Sequence, residues 1–136
     1  MSGPSRWDGF SLLELVVAAA IVAILLTLAV PAFDRQRMRV QRAEAVQALT
    51  RLAQCLERHH AAVGRYGGHR CLPGHAPPNY ELVLLPLGDP DDSHFELRAT
   101  PRFAQAGDPC GTLWLATDGR RGADGVEPAE RCWALR

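Results

Sequence analysis

The sequence predicts an α+β fold in which one long N-terminal helix packs against a small antiparallel sheet. Three observations carry this expectation. Residues 10–30 are apolar apart from Thr27, Ser11 and one ionisable side chain, Glu14. Residues 34–63 keep their apolar side chains at helical spacing on one face. After residue 79, three short runs with strand character are separated by Pro, Gly and Asp.

The first stretch, Gly9 to Phe33, reads GFSLLELVVAAAIVAILLTLAVPAF. As a helix at about 1.5 Å per residue it crosses roughly 30 Å, the hydrocarbon thickness of a bilayer. A carboxylate inside such a span costs about 2.5–3.5 kcal/mol near its centre, and less toward an end, so Glu14 needs a role or a partner. Two simpler readings leave features unused. A secretory signal cut after Ala32 has a shorter apolar region and no acid near its start. A plain anchor gives neither the Gly9-Phe10 junction nor Glu14 anything to do.

Gly9-Phe10-Ser11-Leu12-Leu13-Glu14-Leu15, preceded by a short polar leader and followed by a long apolar run, resembles the signature of type IV prepilins. The resemblance implies cleavage by a prepilin peptidase after Gly9, N-methylation of Phe10, and a role for Glu14 in assembly. An ammonium on Phe10 and a carboxylate on Glu14 of a neighbouring subunit would form a strongly favoured pair in a low-dielectric bundle. The leader, residues 1–9, holds Arg6 and Asp8; the family's leaders are usually more basic, and Asp8 is a departure.

Pro31 ends the fully apolar run without ending the periodicity, so a kink or local loosening is expected there rather than a stop. Beyond it, Ala45, Leu49, Leu52, Leu56 and Val63 recur at three- and four-residue steps, with His59 or His60 filling the gap. Arg42, Gln47, Arg51, Gln54 and Glu57 are read as lying off that stripe, and Gly64 as the stop signal. The expected organisation is a leader at 1–9, a transmembrane and assembly half at 10–33, and a periplasmic head at 34–136. Within the head, 34–63 is the amphipathic half of the helix and 64–136 is loop and sheet.

Residues 65–79 read as loop. Tyr80 to Leu85, His94 to Thr100 and Thr112 to Thr117 are the strand candidates, forming a meander across the helix. Asp89-Pro90-Asp91-Asp92 is an acidic turn, Asp118-Gly119 a second turn, and residues 122–128 an exposed loop. Leu97-Arg98-Ala99-Thr100-Pro101, Cys110-Gly111-Thr112-Leu113, Gly119-Arg120-Arg121-Gly122 and Cys132-Trp133 are similar to the head of PilE-like pilins.

All four cysteines follow the apolar span, which suits an oxidising compartment. Arg35, Arg37, Arg39 and Arg42 alone would place that side in the cytoplasm; the cysteines and the leader motif together favour the periplasm. Four cysteines allow three pairings. Proximity suggests Cys55 with Cys71 and Cys110 with Cys132, and the second resembles the disulfide-bounded region of pilins. The competing reading is a zinc site, because Cys55 and His59 share a helix face with His60, His69, Cys71 and His75 nearby.

Formal net charge is zero, so nucleic acid is not an expected partner, and the run Arg35–Arg39 reads as a solvated helix face. No nucleophile–base pair, phosphate loop or carboxylate pair stands out. No enzyme, cofactor or small-molecule substrate is expected; a metal hydrolase among His59, His60 and His69 is the form an enzyme would take. The family resemblance implies a pilus subunit, minor rather than major. Its implied partners are other pilins, the prepilin peptidase and the inner-membrane assembly machinery. It would sit in the inner membrane before assembly and on the cell surface afterwards, serving pilus biogenesis, adhesion or twitching. A pseudopilin of a type II secretion system is the alternative within assembly proteins, and a membrane-anchored periplasmic binding module the alternative outside them.

Overall fold

A computed structural model describes residues 10–72, 74, 76–86 and 93–134. The leader with Gly9, the residues Pro73 and His75, and the Asp89–Asp92 turn lie outside the described residues. The chain divides into two compact units, one ending at Gln36 and one running from Arg37 onward.

Helix α1 spans Leu12–Val63. Ser11 opens it, its carbonyl accepting the Leu15 amide at 3.1 Å. Pro31 lies inside, and the helical backbone continues through it. In the N-terminal unit the apolar side chains stand exposed, Leu12 by 81% and Leu28 by 70%. Thr27 settles its hydroxyl on the Ile24 carbonyl at 2.7 Å, which lets it sit among apolar neighbours without an unmet polar group. The helix ends where Gly64 adopts φ +80 and its amide reaches the His60 carbonyl at 2.7 Å. That left-handed stop costs a residue without Cβ little.

In the second unit, the stretch of α1 after Arg37 buries Ala45, Val46, Ala48, Leu49, Leu52 and Leu56. The stripe is broader than the one read from spacing, taking in Val46 and Ala48. It is also shorter, because Val63 is 51% exposed in the last turn. Against it lies a sheet of four strands in consecutive order, β1 (Tyr80–Pro86), β2 (Phe95–Pro101), β3 (Leu113–Ala116) and β4 (Arg121–Ala123), all antiparallel. Alternation in β2 sends Phe95, Leu97 and Ala99 inward onto the helix stripe, where Leu97 and Leu113 meet Leu49 and Leu56 in one fully buried cluster. Each such leucine contributes about 1.5–3 kcal/mol by leaving water.

The sheet has one strand more than expected. The sequence reading puts Gly122 and Ala123 in an exposed loop and gives Arg121 to no element. Pairing decides the matter: Leu113, Trp114 and Leu115 face Ala123, Gly122 and Arg121. Gly122 is required there, since a Cβ would stand 2.3 Å from the Trp114 ring. A short helix α2 (Ala129–Cys132) follows and packs on β4. Trp133 is buried behind it and donates its indole N–H to the Gly122 carbonyl at 2.9 Å.

Two disulfides brace the head. Cys55–Cys71 ties α1 to the loop after it with Cα atoms 5.8 Å apart, and Cys110–Cys132 ties the β2–β3 connection to α2 with Cα atoms 5.7 Å apart. Closing loops of these lengths stabilises by about 3 kcal/mol each in the chain-entropy account.

Candidate assembly site and polar clamp

The N-terminal unit presents its functional candidates on an uncovered apolar helix. Phe10 is 80% exposed just before the first turn, and Glu14 lies in that first turn. Helix geometry favours an anion there, because the first amide groups leave partial positive charge at this end. Glu14 is exposed, as are the apolar residues around it. A helix that leaves leucine, isoleucine and valine uncovered over this length needs lipid or neighbouring helices to remove that surface from water. By length and composition it is the one such membrane-crossing candidate among the described residues.

The head is fastened to its own stretch of α1 by a buried polar cluster. Asp108, in the loop after β2, has a fully buried carboxylate. Arg42 grips it with both arms of its fork, Nε to Oδ2 at 3.0 Å and a terminal nitrogen to Oδ1 at 2.5 Å. Tyr80 donates its hydroxyl to Oδ2 at 2.7 Å, and the Cys110 amide donates to Oδ1 at 2.9 Å. Gln105, 1% exposed, donates to the same carboxylate at 2.6 Å and to the Met38 carbonyl at 3.0 Å. Beside it, Asn79 donates to Gln41 at 2.7 Å.

The charges agree with this geometry. Burial by itself raises the Asp108 carboxyl, but hydrogen bonds from Arg42, the Cys110 amide and Tyr80, with the Arg42 charge, hold it below the usual carboxylate range. Burial works to lower Arg42, and the hydrogen bond and charge of Asp108 outweigh it, so the guanidinium stays protonated. Burial first, then Asp108, pushes the Tyr80 phenol well up, which keeps it a donor. No buried side-chain polar atom among the described residues lacks a partner, so the cluster meets the condition under which buried charge is tolerated.

Sequence reading missed this cluster. Arg42 was placed off the apolar stripe, yet it stands three residues before Ala45 and seven before Leu49, on the same face. Its signal was position rather than polarity. Asp108 and Gln105 had no signal in spacing at all.

At the other end of α1, His59 meets the Gly67 carbonyl at 3.2 Å, His69 accepts the Cys71 amide at 3.1 Å, and His60 stacks on Tyr66. Tyr66 donates to Glu57 at 3.0 Å and meets Phe95 edge-on. Burial, then Glu57, raises the Tyr66 phenol. With Cys55 and Cys71 joined to each other, neither offers a thiolate to a metal. Among the described residues no group of three or more His, Cys, Asp or Glu is placed to hold an ion.

A family model described as "Type IV minor pilin ComP, DNA uptake sequence receptor" matches residues 31–114. The chain belongs to the type IV minor pilin family. A second model, the prokaryotic N-terminal methylation motif, matches residues 8–30 of this pilin. Among solved structures, a type IV pilin from Shewanella oneidensis is similar at 36% identity, with a TM-score of 0.58, over 71% of this chain and 98% of that one. No curated protein matches the chain. The pilin is thus a structural subunit, not an enzyme, whose N-terminal helix serves membrane insertion and assembly with other pilins into a pilus-like filament. Before assembly its N-terminal helix anchors it in the inner membrane, and after assembly it stands on the cell surface.

Proposed function

We propose that the pilin is a minor subunit of a type IV pilus that supports pilus biogenesis, and with it adhesion or twitching. In this reading a prepilin peptidase cuts after Gly9, Phe10 becomes the N-methylated terminus, and residues 10–33 form the transmembrane and assembly half. The inner-membrane assembly machinery then draws the helix into the filament, where Pro31 lets it loosen. The observation that carries the reading is an uncovered apolar helix with Glu14 as the sole ionisable group between Phe10 and Val30. Mass spectrometry of the N-terminus tests it: the mature chain is expected to begin at methylated Phe10. Gly9→Val is expected to retain the leader and abolish incorporation into filaments; an unchanged mature mass in that variant overturns the assignment. Loss of pili in a deletion strain, with protein secretion intact, separates this reading from a type II pseudopilin.

A second reading comes from the printed description of the matched family as a receptor for a DNA uptake sequence. The neutral overall charge gives no bias toward nucleic acid, but Arg58, Arg65 and Arg70 stand exposed around the end of α1 and the Cys55–Cys71 bridge. Phosphate contacts made by such arginines release counterions, about 0.9 per contact on duplex DNA. Fluorescence anisotropy of the full chain with labelled duplex DNA is expected to show affinity falling linearly with salt on logarithmic axes. Each of Arg58→Ala, Arg65→Ala and Arg70→Ala should reduce that slope by about one. Absence of binding at about 50 mM salt removes the reading.

A further inference from the structure

Four arginines follow the apolar run within nine residues of Phe33, at 35, 37, 39 and 42. Carrying them across the membrane runs against the charge bias that sets orientation, so an anionic partner on the far side offsets a cost. Arg42 has such a partner in Asp108, the buried carboxylate that it grips inside the head. Arg35, Arg37 and Arg39 have none. All three are exposed, and no side-chain hydrogen bond, ion pair or ring contact joins them to another described residue. Asp34 is the one acid among residues 34–39 and is likewise exposed and unpaired. Three arginines less one aspartate leave the segment a net charge of +2.

Their spacing selects the kind of partner. The backbone stays helical through all three positions. At about 100° per residue, Arg35 and Arg39 stand about 40° apart around α1, and Arg37 about 160° from each. A partner lying along one side of the helix, such as a duplex, meets two of them and leaves the third in water. A medium that surrounds the helix meets all three. Their height selects the medium. Phe33 is the last apolar residue of the run, and the three arginine Cα atoms follow it by about 3, 6 and 9 Å along the axis. The polar layer of a bilayer begins where the hydrocarbon ends and is about 5–8 Å deep. The long arginine stem lets even Arg39 reach back into that layer.

We propose that Arg35, Arg37 and Arg39 form a girdle for anionic phospholipid headgroups, gathering phosphodiester lipids around the helix where it leaves the membrane. A guanidinium meets phosphate oxygens with two parallel N–H bonds, and an anionic leaflet adds about a factor of five per basic residue. Arg37 and Arg39 flank Met38, whose carbonyl the head holds through Gln105. Lipid bound there is bound where the head begins, and withdrawing the subunit from the membrane has to break those contacts. The girdle rests on α1 crossing a membrane and adds the class of lipid it collects there.

The test reconstitutes the full chain in phosphatidylcholine vesicles that hold a minority of phosphatidylglycerol. Each lipid is supplied in trace as a headgroup diazirine analogue, and the labelled residues are mapped after irradiation. The phosphatidylglycerol probe is expected to label residues 34–40 about tenfold more than the phosphatidylcholine probe, corrected for abundance. That excess should shrink as salt rises. Arg35→Gln, Arg37→Gln and Arg39→Gln together should abolish it, and Asp34→Asn should increase it. Arg35→Lys, Arg37→Lys and Arg39→Lys together should keep most of it, since the charge remains. Resistance to carbonate extraction and the unfolding midpoint of the head should be unchanged in all of these chains. Equal labelling by both probes, an excess that survives the glutamine substitutions, or one lost in the lysine chain overturns the proposal. Duplex DNA bound by wild type and not by the glutamine chain, without a lipid excess, gives the arginines to DNA and overturns it as well. Wild-type chain extracted by carbonate overturns the membrane anchor itself, and the girdle with it.

Discussion

Replacing Asp108 by alanine is expected to destabilise the head by about 3–5 kcal/mol, the usual cost of removing one partner from a buried ion pair. Arg42, with its side chain 14% exposed, would keep its charge and lose both carboxylate oxygens. Tyr80, Gln105 and the Cys110 amide would each lose an acceptor in the same stroke. Thermal unfolding of the full chain in detergent, followed by tryptophan fluorescence, measures the loss. Arg42→Met combined with Asp108→Leu should cost less than the two single changes added together, because no charge is then left buried alone. The cluster also sets an acid limit. Asp108 is held below its ordinary value in the folded chain, so its contribution is complete above about pH 4 and is lost as pH falls toward the lower folded value. Asp108→Asn should therefore unfold with less dependence on pH below that point; an acid profile identical to wild type would remove Asp108 from this role.

Glu14→Gln is expected to leave membrane insertion intact and to cut recovery in filaments by an order of magnitude or more. Removing a buried charge lowers the cost of insertion, so the amount of protein in membranes should not fall. In the filament the Phe10 ammonium of an incoming subunit would meet an amide instead of a carboxylate and would be buried without its counter-charge. Within one chain the carboxylate stands one helical turn after Phe10, so the same acid also offers a partner to its own terminus before assembly. Co-purification of the tagged variant with sheared filaments, beside its level in membranes, is the measurement. Recovery equal to wild type would mean that Glu14 is not the docking residue.

The fold was legible where burial imposes a period. Ala45, Leu49, Leu52 and Leu56 repeat as a helix face, and Phe95, Leu97 and Ala99 alternate as a strand face, so both elements could be read within a residue or two of their ends. Gly64 marked the helix stop for a local reason, its freedom to adopt positive φ. Strand β4 was not legible, because its three residues owe their conformation to pairing with β3 and to the Trp114 ring lying over Gly122. The clamp was not legible for a related reason. Arg42 and Asp108 are 66 residues apart, and nothing local distinguishes a solvated arginine from one turned into the head.

The consecutive strand order has a consequence for export. Each strand after β1 pairs with the one made just before it, and the two bridges join cysteines 16 and 22 residues apart. A chain threaded across the inner membrane helix first can therefore settle its head in the order in which it emerges, with no early segment waiting long for a late partner. The first bridge can form as soon as Cys71 has crossed, while the second waits for Cys132, beside the tryptophan that closes over Gly122. A translation product cut short before Cys132 would keep a thiol at Cys110 and remain open to periplasmic thiol oxidases and proteases.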